Sequence, residues 1–219
     1  MTQKTKVLIV DDHPVVREGL ARRIARQEDM EVCCEAESAA TAMDLIASCQ
    51  PDLALVDLSL KDSSGLDLIR DAHVRFPRLL MLVVSMQDET LYAERALRAG
   101  ARGYVMKHEA TDNVVLAIHR VLDGGIYVSD RLAARLLQAM TTGKPAPGAG
   151  SVELLSNREL EVFQLIGQGL ATRQIAERLG VSVKTVETYR EHIKTKLHLE
   201  NAAELARQAF VWTQAKVKT

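Results

Sequence analysis

Five short runs of aliphatic and β-branched residues, each followed within a few positions by a stretch of helical periodicity, limit this chain to very few folds. The runs fall at residues 6–10, 31–35, 53–56, 79–84 and 103–105. The helical stretches begin near Pro14 and cover residues 39–49, 65–76, 89–99 and 110–122. Strands separated by helices pair in parallel, and a parallel sheet must be covered on both faces. The alternation therefore predicts a doubly wound α/β unit built on a five-stranded parallel sheet. One more helix, about residues 129–140, leads into TTGKPAPGAGSV at 141–152. That segment is rich in Gly, Pro, Ser and Thr, lacks apolar periodicity and reads as a flexible linker.

Past the linker the β signal ends and four helical stretches follow. Ser156-Asn157-Arg158-Glu159 is a capping box ahead of Leu160, Val162, Phe163 and Ile166. Thr172 is the expected cap of a short helix that contains Ile175, Ala176 and Leu179 and ends at Gly180. Ser182 is the expected cap of a helix over 183–199, and Asn201 that of the last helix. Two helices joined at Leu179-Gly180-Val181-Ser182 have the form of a helix-turn-helix. The chain thus divides into a unit at 1–124, a connecting helix and linker at 125–152, and an all-α four-helix unit at 153–219.

Charge follows the same division. Residues 1–140 hold 17 Lys and Arg against 21 Asp and Glu, a net of −4, while residues 141–219 hold 11 against 8, a net of +3. An acidic front and a basic back imply different partners. With 4 % aromatic residues, the cores must be built from Leu, Val, Ile and Ala. No window approaches the roughly 18 apolar residues of a membrane span. MTQKTKVLIV runs straight into the first strand, so neither a signal peptide nor a membrane helix is expected. Cys33, Cys34 and Cys49 lack metal-ligand spacing, and on a strand the vicinal pair would point to opposite faces. Their odd count fits a reducing cytoplasm.

In an open parallel sheet, ligands bind beyond the carboxyl ends of the strands, where the strand order reverses. The polar residues that follow the apolar runs are Asp11 and Asp12, Asp57, Ser85 and Lys107. Taken singly, an Asp or Ser after a strand is more often a helix cap, and a Lys a solvated charge. Five suitable residue types at one sheet edge instead describe a site. Three converging carboxylates repel one another unless a cation lies among them, and Mg²⁺, which takes a few carboxylates and keeps water, suits them. With Lys107 neutralising charge and Ser85 donating a hydrogen bond, Asp57 is equipped to attack phosphorus.

VLIVDDHPVVREGL, PDLALVDL, Ser85 and GYVMK resemble the receiver domain of bacterial response regulators over about residues 4–123. The resemblance implies a flavodoxin-like fold, with Asp57 accepting a phosphoryl group from a histidine kinase or a small phosphodonor. It also implies that Asp12, Asp57 and the main-chain carbonyl of Ser59 ligate Mg²⁺, that Asp11 acts through water, and that Tyr104 is a switch residue coupled to Ser85. Phosphorylation is expected to draw Ser85 and Tyr104 inward. Departures from the commoner pattern are Lys61 in place of a proline, His108 in place of another, and Met86 where a small residue usually follows the hydroxyl, narrowing the pocket entrance. Gln87 and Ser59 stand where receivers tune the lifetime of the phosphoaspartate.

On the helix starting near Val183, one side carries Val186, Arg190, Ile193 and Leu197, flanked by Val183 and Tyr189. The other side carries Lys184, Thr188, Glu191 and Thr195. That division suits a recognition helix and equally an ordinary surface helix. LLSNRELEVFQLIGQGLATRQIAERLGVSVKTVETYREHIKTKLHL resembles the LuxR-type helix-turn-helix, over about residues 153–211, and with the receiver gives the NarL/FixJ arrangement. The resemblance implies that this helix enters the major groove, with Glu187, Thr188 and Glu191 facing bases and Lys184, Thr185, Arg190, Lys194 and Lys196 near phosphates. A carboxylate can accept from cytosine N4, yet it costs affinity beside phosphates. The last helix, about 202–211, implies a dimer contact through Ala203, Ala206 and Ala209, the alternative being packing within its own domain.

The expected function is that of a cytoplasmic, phosphorylation-regulated transcription factor rather than an enzyme. Its expected cofactor is Mg²⁺, and its expected partners are a histidine kinase, double-stranded promoter DNA and a second copy of itself, with RNA polymerase a further candidate. Two rivals stand beside it. A phosphatase working through an aspartyl phosphate generally needs a second carboxylic acid two residues after the nucleophile, where this chain has Ser59. A constitutive DNA-binding protein would use the front unit only to dimerise.

Overall fold

The structure is a computed structural model that describes residues 4–60, 64–142 and 151–217. The chain divides into two compact units, Met1–Thr142 and Gly143–Thr219. In the first, strands β1 (Thr5–Val10), β2 (Met30–Ala36), β3 (Leu53–Val56), β4 (Leu80–Ser85) and β5 (Gly103–Met106) form one parallel sheet in the order β2-β1-β3-β4-β5. Helices α1 (Pro14–Ile24), α2 (Ala39–Cys49), α3 (Gly65–Arg75), α4 (Glu89–Ala99) and α5 (Ala110–Leu122) connect and follow the strands, and α6 (Asp130–Thr142) comes after them. β1 has β2 on one side and β3 on the other, so the chain leaves it in opposite directions and a crevice opens beyond the carboxyl ends of β1 and β3.

Burial explains the strand sequences. β3 reads LALV and is buried throughout, as a central strand covered on both faces must be, whereas the edge strand β2 is half exposed along its middle. Val7, Ile9, Leu55, Leu82, Val114 and Ile118 meet in one core between the sheet and the helices, each no more than 1 % exposed. Each such side chain contributes about 1.5–3 kcal/mol relative to an exposed one. Local signals start and stop the helices. Pro14 begins α1 at a position where no N–H is needed, the Asp88 side chain accepts from Thr90 N at 2.8 Å ahead of α4, and Gly100 ends α4 in the left-handed region.

The vicinal cysteines depart from the expected alternation. Val7 pairs with Val32 but Leu8 pairs with Cys34, which leaves Cys33 as an extra residue in a β-bulge. The bulge cancels the alternation, and the two sulfurs lie 3.4 Å apart instead of on opposite faces.

The second unit holds a 3-10 turn at Ser151–Leu154 and helices α7 (Asn157–Gly167), α8 (Thr172–Leu179), α9 (Val183–Leu197) and α10 (Ala202–Val217). Its core places Phe163 edge-on against Trp212, with ring centroids 5.5 Å apart. The expected flexible segment is shorter than 141–152, because α6 runs to Thr142 and the 3-10 turn occupies Ser151–Leu154; residues 143–150 lie outside the described residues. Ala171, not Thr172, is the residue before α8, and its N–H is accepted by the Gln174 side chain at 2.9 Å. Ser156, Ser182 and Asn201 cap as expected, accepting from Glu159 N, Thr185 N and Glu204 N. α10 is longer than expected and buries Ala209 fully, whereas Ala203 and Ala206 are exposed. A Cβ on Gly167 of α7 would lie 2.4 Å from Ala209 O, so Ala209 is already spent on packing within its own unit.

Gly65 ties the fold to the crevice. A Cβ there would lie 2.0 Å from Asp57 O and 2.7 Å from Leu58 Cα, both main-chain atoms that cannot swing aside. Gly65→Ala is expected to destabilise the first unit by about 3 kcal/mol or more, from overpacking against backbone. Urea unfolding followed by far-ultraviolet circular dichroism checks this, and a midpoint equal to wild type would show that α3 shifts without cost.

Candidate functional site

All five residues read from the sequence as strand-end polar groups meet beyond the crevice. Asp11, Asp57 and Ser85 are 1 %, 2 % and 0 % exposed, and the Lys107 side chain is 7 % exposed. Lys107 Nζ lies 2.7 Å from Asp11 Oδ2 and 2.7 Å from Asp57 Oδ2. Ser85 Oγ donates to Asp57 Oδ1 at 2.7 Å, so each Asp57 oxygen has its own partner. The strands impose this register: Asp57 N donates to Val10 O at 2.8 Å and Lys107 N to Ser85 O at 2.8 Å.

Charge in this pocket does not balance. Three carboxylates face one ammonium, a formal excess of two negative charges, in surroundings where repulsion is weakly screened. Asp11 Oδ2 and Asp12 Oδ1 are buried without a hydrogen bond: the first has only the ion-pair contact with Lys107, and the second lies 2.6 Å from His13 Nδ1. Ligand atoms of Asp11, Asp12, His13 and Asp57 all lie within 4.8 Å of one another. Oxygen donors in surplus, with two unsatisfied, match a small hard divalent cation. Burial alone would lower the Lys107 pKa, but the Asp57 charge and the Asp11 contact outweigh it and hold it above the ordinary lysine value.

Tyr104 is 1 % exposed and donates its hydroxyl to Gln87 O at 2.8 Å, and burial pushes its phenol above the ordinary value so that the donor proton stays. Gln87 Nε2 in turn donates to Ser59 Oγ at 3.0 Å. Ser85 and Tyr104 are therefore already inward in this structure. Met86 is 68 % exposed, its side chain directed to solvent, and Lys61 lies outside the described residues.

Sequence reasoning missed several partners. His13 joins the carboxylate cluster from directly behind the Asp pair, and Arg17 Nη1 donates to Asp11 O at 2.6 Å from the first turn of α1. Glu89, at the start of α4, accepts from both Ser129 N at 2.9 Å and Ser129 Oγ at 2.5 Å, immediately before α6. Adjacency to the Asp pair was the signal that could have found His13, but nothing local signals a contact spanning 40 residues.

In the second unit, Gly180 takes φ +65°, which lets α8 stop and the chain turn into α9. α9 buries Val186, Ile193 and Leu197 and exposes Lys184, Glu187, Thr188 and Glu191, with Thr185 and Arg190 half-buried. Lys194 pairs with Glu191 at 2.9 Å. Lys196 is drawn back onto the buried Glu159 at 2.7 Å, which anchors α9 to the start of α7.

The response regulator receiver domain family matches residues 7–119, and the luxR family of bacterial regulatory proteins matches residues 153–209. This chain belongs to the response regulators with a LuxR-type DNA-binding domain. The oxygen regulatory protein NreC of Staphylococcus epidermidis is 36 % identical over 210 residues, covering 94 % of this chain and 96 % of that protein, and NreC of Staphylococcus aureus is 37 % identical over 209 residues. RcsB of Salmonella enterica serovar Typhimurium, bound to promoter P1flhDC in the presence of the phosphomimetic BeF3−, superposes with a TM-score of 0.63 at 26 % identity, covering 94 % of this chain and 98 % of that one. A LuxR-family response regulator from Aurantimonas sp. gives a TM-score of 0.59 at 31 % identity, covering 64 % of this chain and 99 % of that one. The five-stranded order and the two-unit organisation of this response regulator agree with those relationships. Among the described residues no helix is long and apolar enough to cross a membrane.

Glu159 is 3 % exposed; burial raises its pKa, yet Lys196 and the Ser156 amide and hydroxyl outweigh this and hold it below the ordinary 4.5. A carboxylate depressed in the folded state stabilises above its unfolded pKa and loses that contribution as pH falls through the folded one. The helix-turn-helix unit of the response regulator is therefore expected to weaken below about pH 4.5, and Glu159→Gln to lack that part of the loss. Fluorescence of Trp212, the single tryptophan, reports urea unfolding of this unit alone. Parallel loss in both proteins between pH 7 and about 3 would remove Glu159 from the acid response.

Proposed function

We propose that Asp57 accepts a phosphoryl group from a histidine kinase or a small phosphodonor and that this modification governs binding of α9 to promoter DNA. The observation that carries the reading is the separate engagement of the two Asp57 oxygens, Oδ2 by Lys107 and Oδ1 by Ser85, at 2.7 Å each. An Asp57 oxygen attacks phosphorus, the bond from phosphorus to the donor breaks, and the electron pair leaves with the donor group. Lys107 stays charged throughout and screens the incoming phosphoryl oxygens, and the Ser85 proton transfers its hydrogen bond from Asp57 to one of them.

Asp12, Asp57 and the Ser59 carbonyl would hold Mg²⁺, with Asp11 acting through water. Bound there, Mg²⁺ supplies charge neutralisation for the phosphoryl group. The two buried oxygens without a hydrogen bond and the excess negative charge of the pocket support this donor set. Because Ser85 and Tyr104 are already inward, phosphorylation acts by holding that arrangement rather than by creating it. The held segment then fixes Gln87 and Glu89, and through Ser129 the start of α6.

For DNA, exposed Glu187, Thr188 and Glu191 on α9 support base contacts, and exposed Lys184 with half-buried Thr185, Arg190 and Lys194 supports phosphate contacts. Lys196 would have to leave Glu159 to reach a phosphate, so its first role is to fix the angle of α9. The RcsB structure that holds promoter DNA with a phosphomimetic, and the structure of two RcsB dimers on two DNAs, support a dimer as the phosphorylated DNA-binding form.

Intact-mass measurement after incubation with acetyl phosphate and Mg²⁺ is expected to show one phosphoryl adduct on wild type and none on Asp57→Ala. An adduct of equal yield on the variant would sink Asp57 as the acceptor. On promoter fragments selected from a random library, Lys194→Ala is expected to weaken binding uniformly and lower the salt slope by about 1, whereas Thr188→Ala relaxes sequence preference. Identical salt slopes for Lys194→Ala and wild type would take Lys194 off the phosphates.

A further inference from the structure

A vicinal pair of thiols on the edge strand and a third thiol from α2 lie at the edge of the sheet. The bulge at Cys33 turns the Cys33 and Cys34 sulfurs toward each other, 3.4 Å apart, and Cys33 also donates to Val7 O at 3.5 Å. Cys49 comes from the last turn of α2, which packs on β2, and its thiol acts on that of Cys34. All three are free and half-buried, so a small solute can reach them. Burial first, then the neighbouring Cys49 and Cys33 thiols, push the Cys34 thiol well above its ordinary value, and burial also raises Cys33. At neutral pH these two are uncharged S–H groups.

Uncharged thiols suit some ligands and not others. A divalent metal needs thiolates, and structural zinc needs four ligands. Creating several thiolates at a half-buried site is costly, and the Lys6 charge near Cys33 does not outweigh the burial. A trivalent metalloid that exchanges hydroxyl groups for thiols asks for no charge at all.

We propose that Cys33, Cys34 and Cys49 form a binding site for the oxo-acid of trivalent arsenic or antimony. At each thiol one metalloid–sulfur bond forms as one metalloid–oxygen bond breaks, and the S–H proton leaves with the hydroxyl group as water. Nothing is oxidised or reduced. Cys33 and Cys34 supply a two-point chelate and Cys49 the third sulfur, so the bound metalloid straps the edge strand β2 to α2. Cys34, on which both of the others act, is the central ligand.

Phenylarsine oxide, whose arsenic exchanges its one oxygen for two sulfurs, tests the chelate on the full chain. Intact mass is expected to show one arsenical per wild-type chain that survives excess monothiol. Two-point capture strengthens binding by ~10²–10⁴ over one. Cys34→Ser is therefore expected to give up its arsenical at least about 100-fold more readily to the monothiol. Cys49→Ser is expected to keep phenylarsine oxide, which needs only two sulfurs, but to bind arsenite more weakly than wild type. No adduct on folded wild type, or an equally resistant adduct on Cys34→Ser, overturns the site. Equal arsenite binding by Cys49→Ser and wild type overturns its three-thiol form.

Discussion

The ammonium of Lys107, 2.7 Å from both Asp11 and Asp57, is the contact on which the carboxyl edge of the sheet depends. Carboxylates at the ends of β1 and β3 are brought together by strand pairing whatever their charges, because the backbone register is fixed by buried strands on either side. Lys107 arrives from β5, two strands away from β3, so the cation that offsets the repulsion is available only once β3, β4 and β5 are aligned. One ammonium does not offset three carboxylates. The fold therefore carries unbalanced negative charge at the crevice, which the proposed divalent cation would offset and the proposed phosphoryl group would increase.

How such a change leaves the pocket follows from what its edges touch. Ser85 ends β4, and four residues later Glu89 grips Ser129 through both the amide and the hydroxyl. The Ser129 hydroxyl accepts from Leu132 N at 3.2 Å, so this grip acts on the first turn of α6. From the other side, Tyr104 N donates to Tyr127 O at 2.8 Å and Tyr127 N to Arg102 O at 3.0 Å, which stitches the segment before α6 along β5. The Tyr104 side chain reaches back to Gln87 O, between Ser85 and Glu89. A displacement of the segment after β4 thus meets the start of α6 by two routes, one through Glu89 and one through Tyr104. Both consist of short hydrogen bonds between buried or half-buried groups, which have discrete rather than graded alternatives.

Much of this was readable from the residues, and the rest was not, for definable reasons. Strand and helix order, the acid pocket and the helix-turn-helix follow from period, punctuation and position relative to the sheet edge, which are local properties. Cys33 and Cys34 were misread because alternation presumes an unbroken ladder, and the bulge that breaks it is decided by the pairing of β2 with β1. Thr172 was misread as a cap because a residue of the right type stood one place too late, while the Gln174 side chain satisfied the Ala171 amide. Ala209 fits an interface by size, but its burial is decided by the close approach of α10 to Gly167. The Glu89–Ser129 grip has no sequence signature, since neither residue departs from what a helix start ordinarily uses.

The second unit repeats the theme of a buried carboxylate with a single cationic partner, to a different end. Glu159 closes its capping box on the Ser156 amide at 2.6 Å and pairs with Lys196 at 2.7 Å, with His192 Nδ1 3.6 Å away. The contact joins the start of α7 to the last turn of α9, so the angle at which α9 is presented is fixed from beneath by charge as well as by Val186, Ile193 and Leu197. That use of Lys196 removes one positive charge from the DNA-facing surface, and the Lys194–Glu191 pair partly offsets another. A net of +3 over residues 141–219 is then spread thinly on a face that also shows Glu187 and Glu191. A surface of this kind binds DNA weakly through electrostatics alone. Such a surface gains more than a strongly basic one would from being presented twice, which is the physical argument in favour of the proposed dimer.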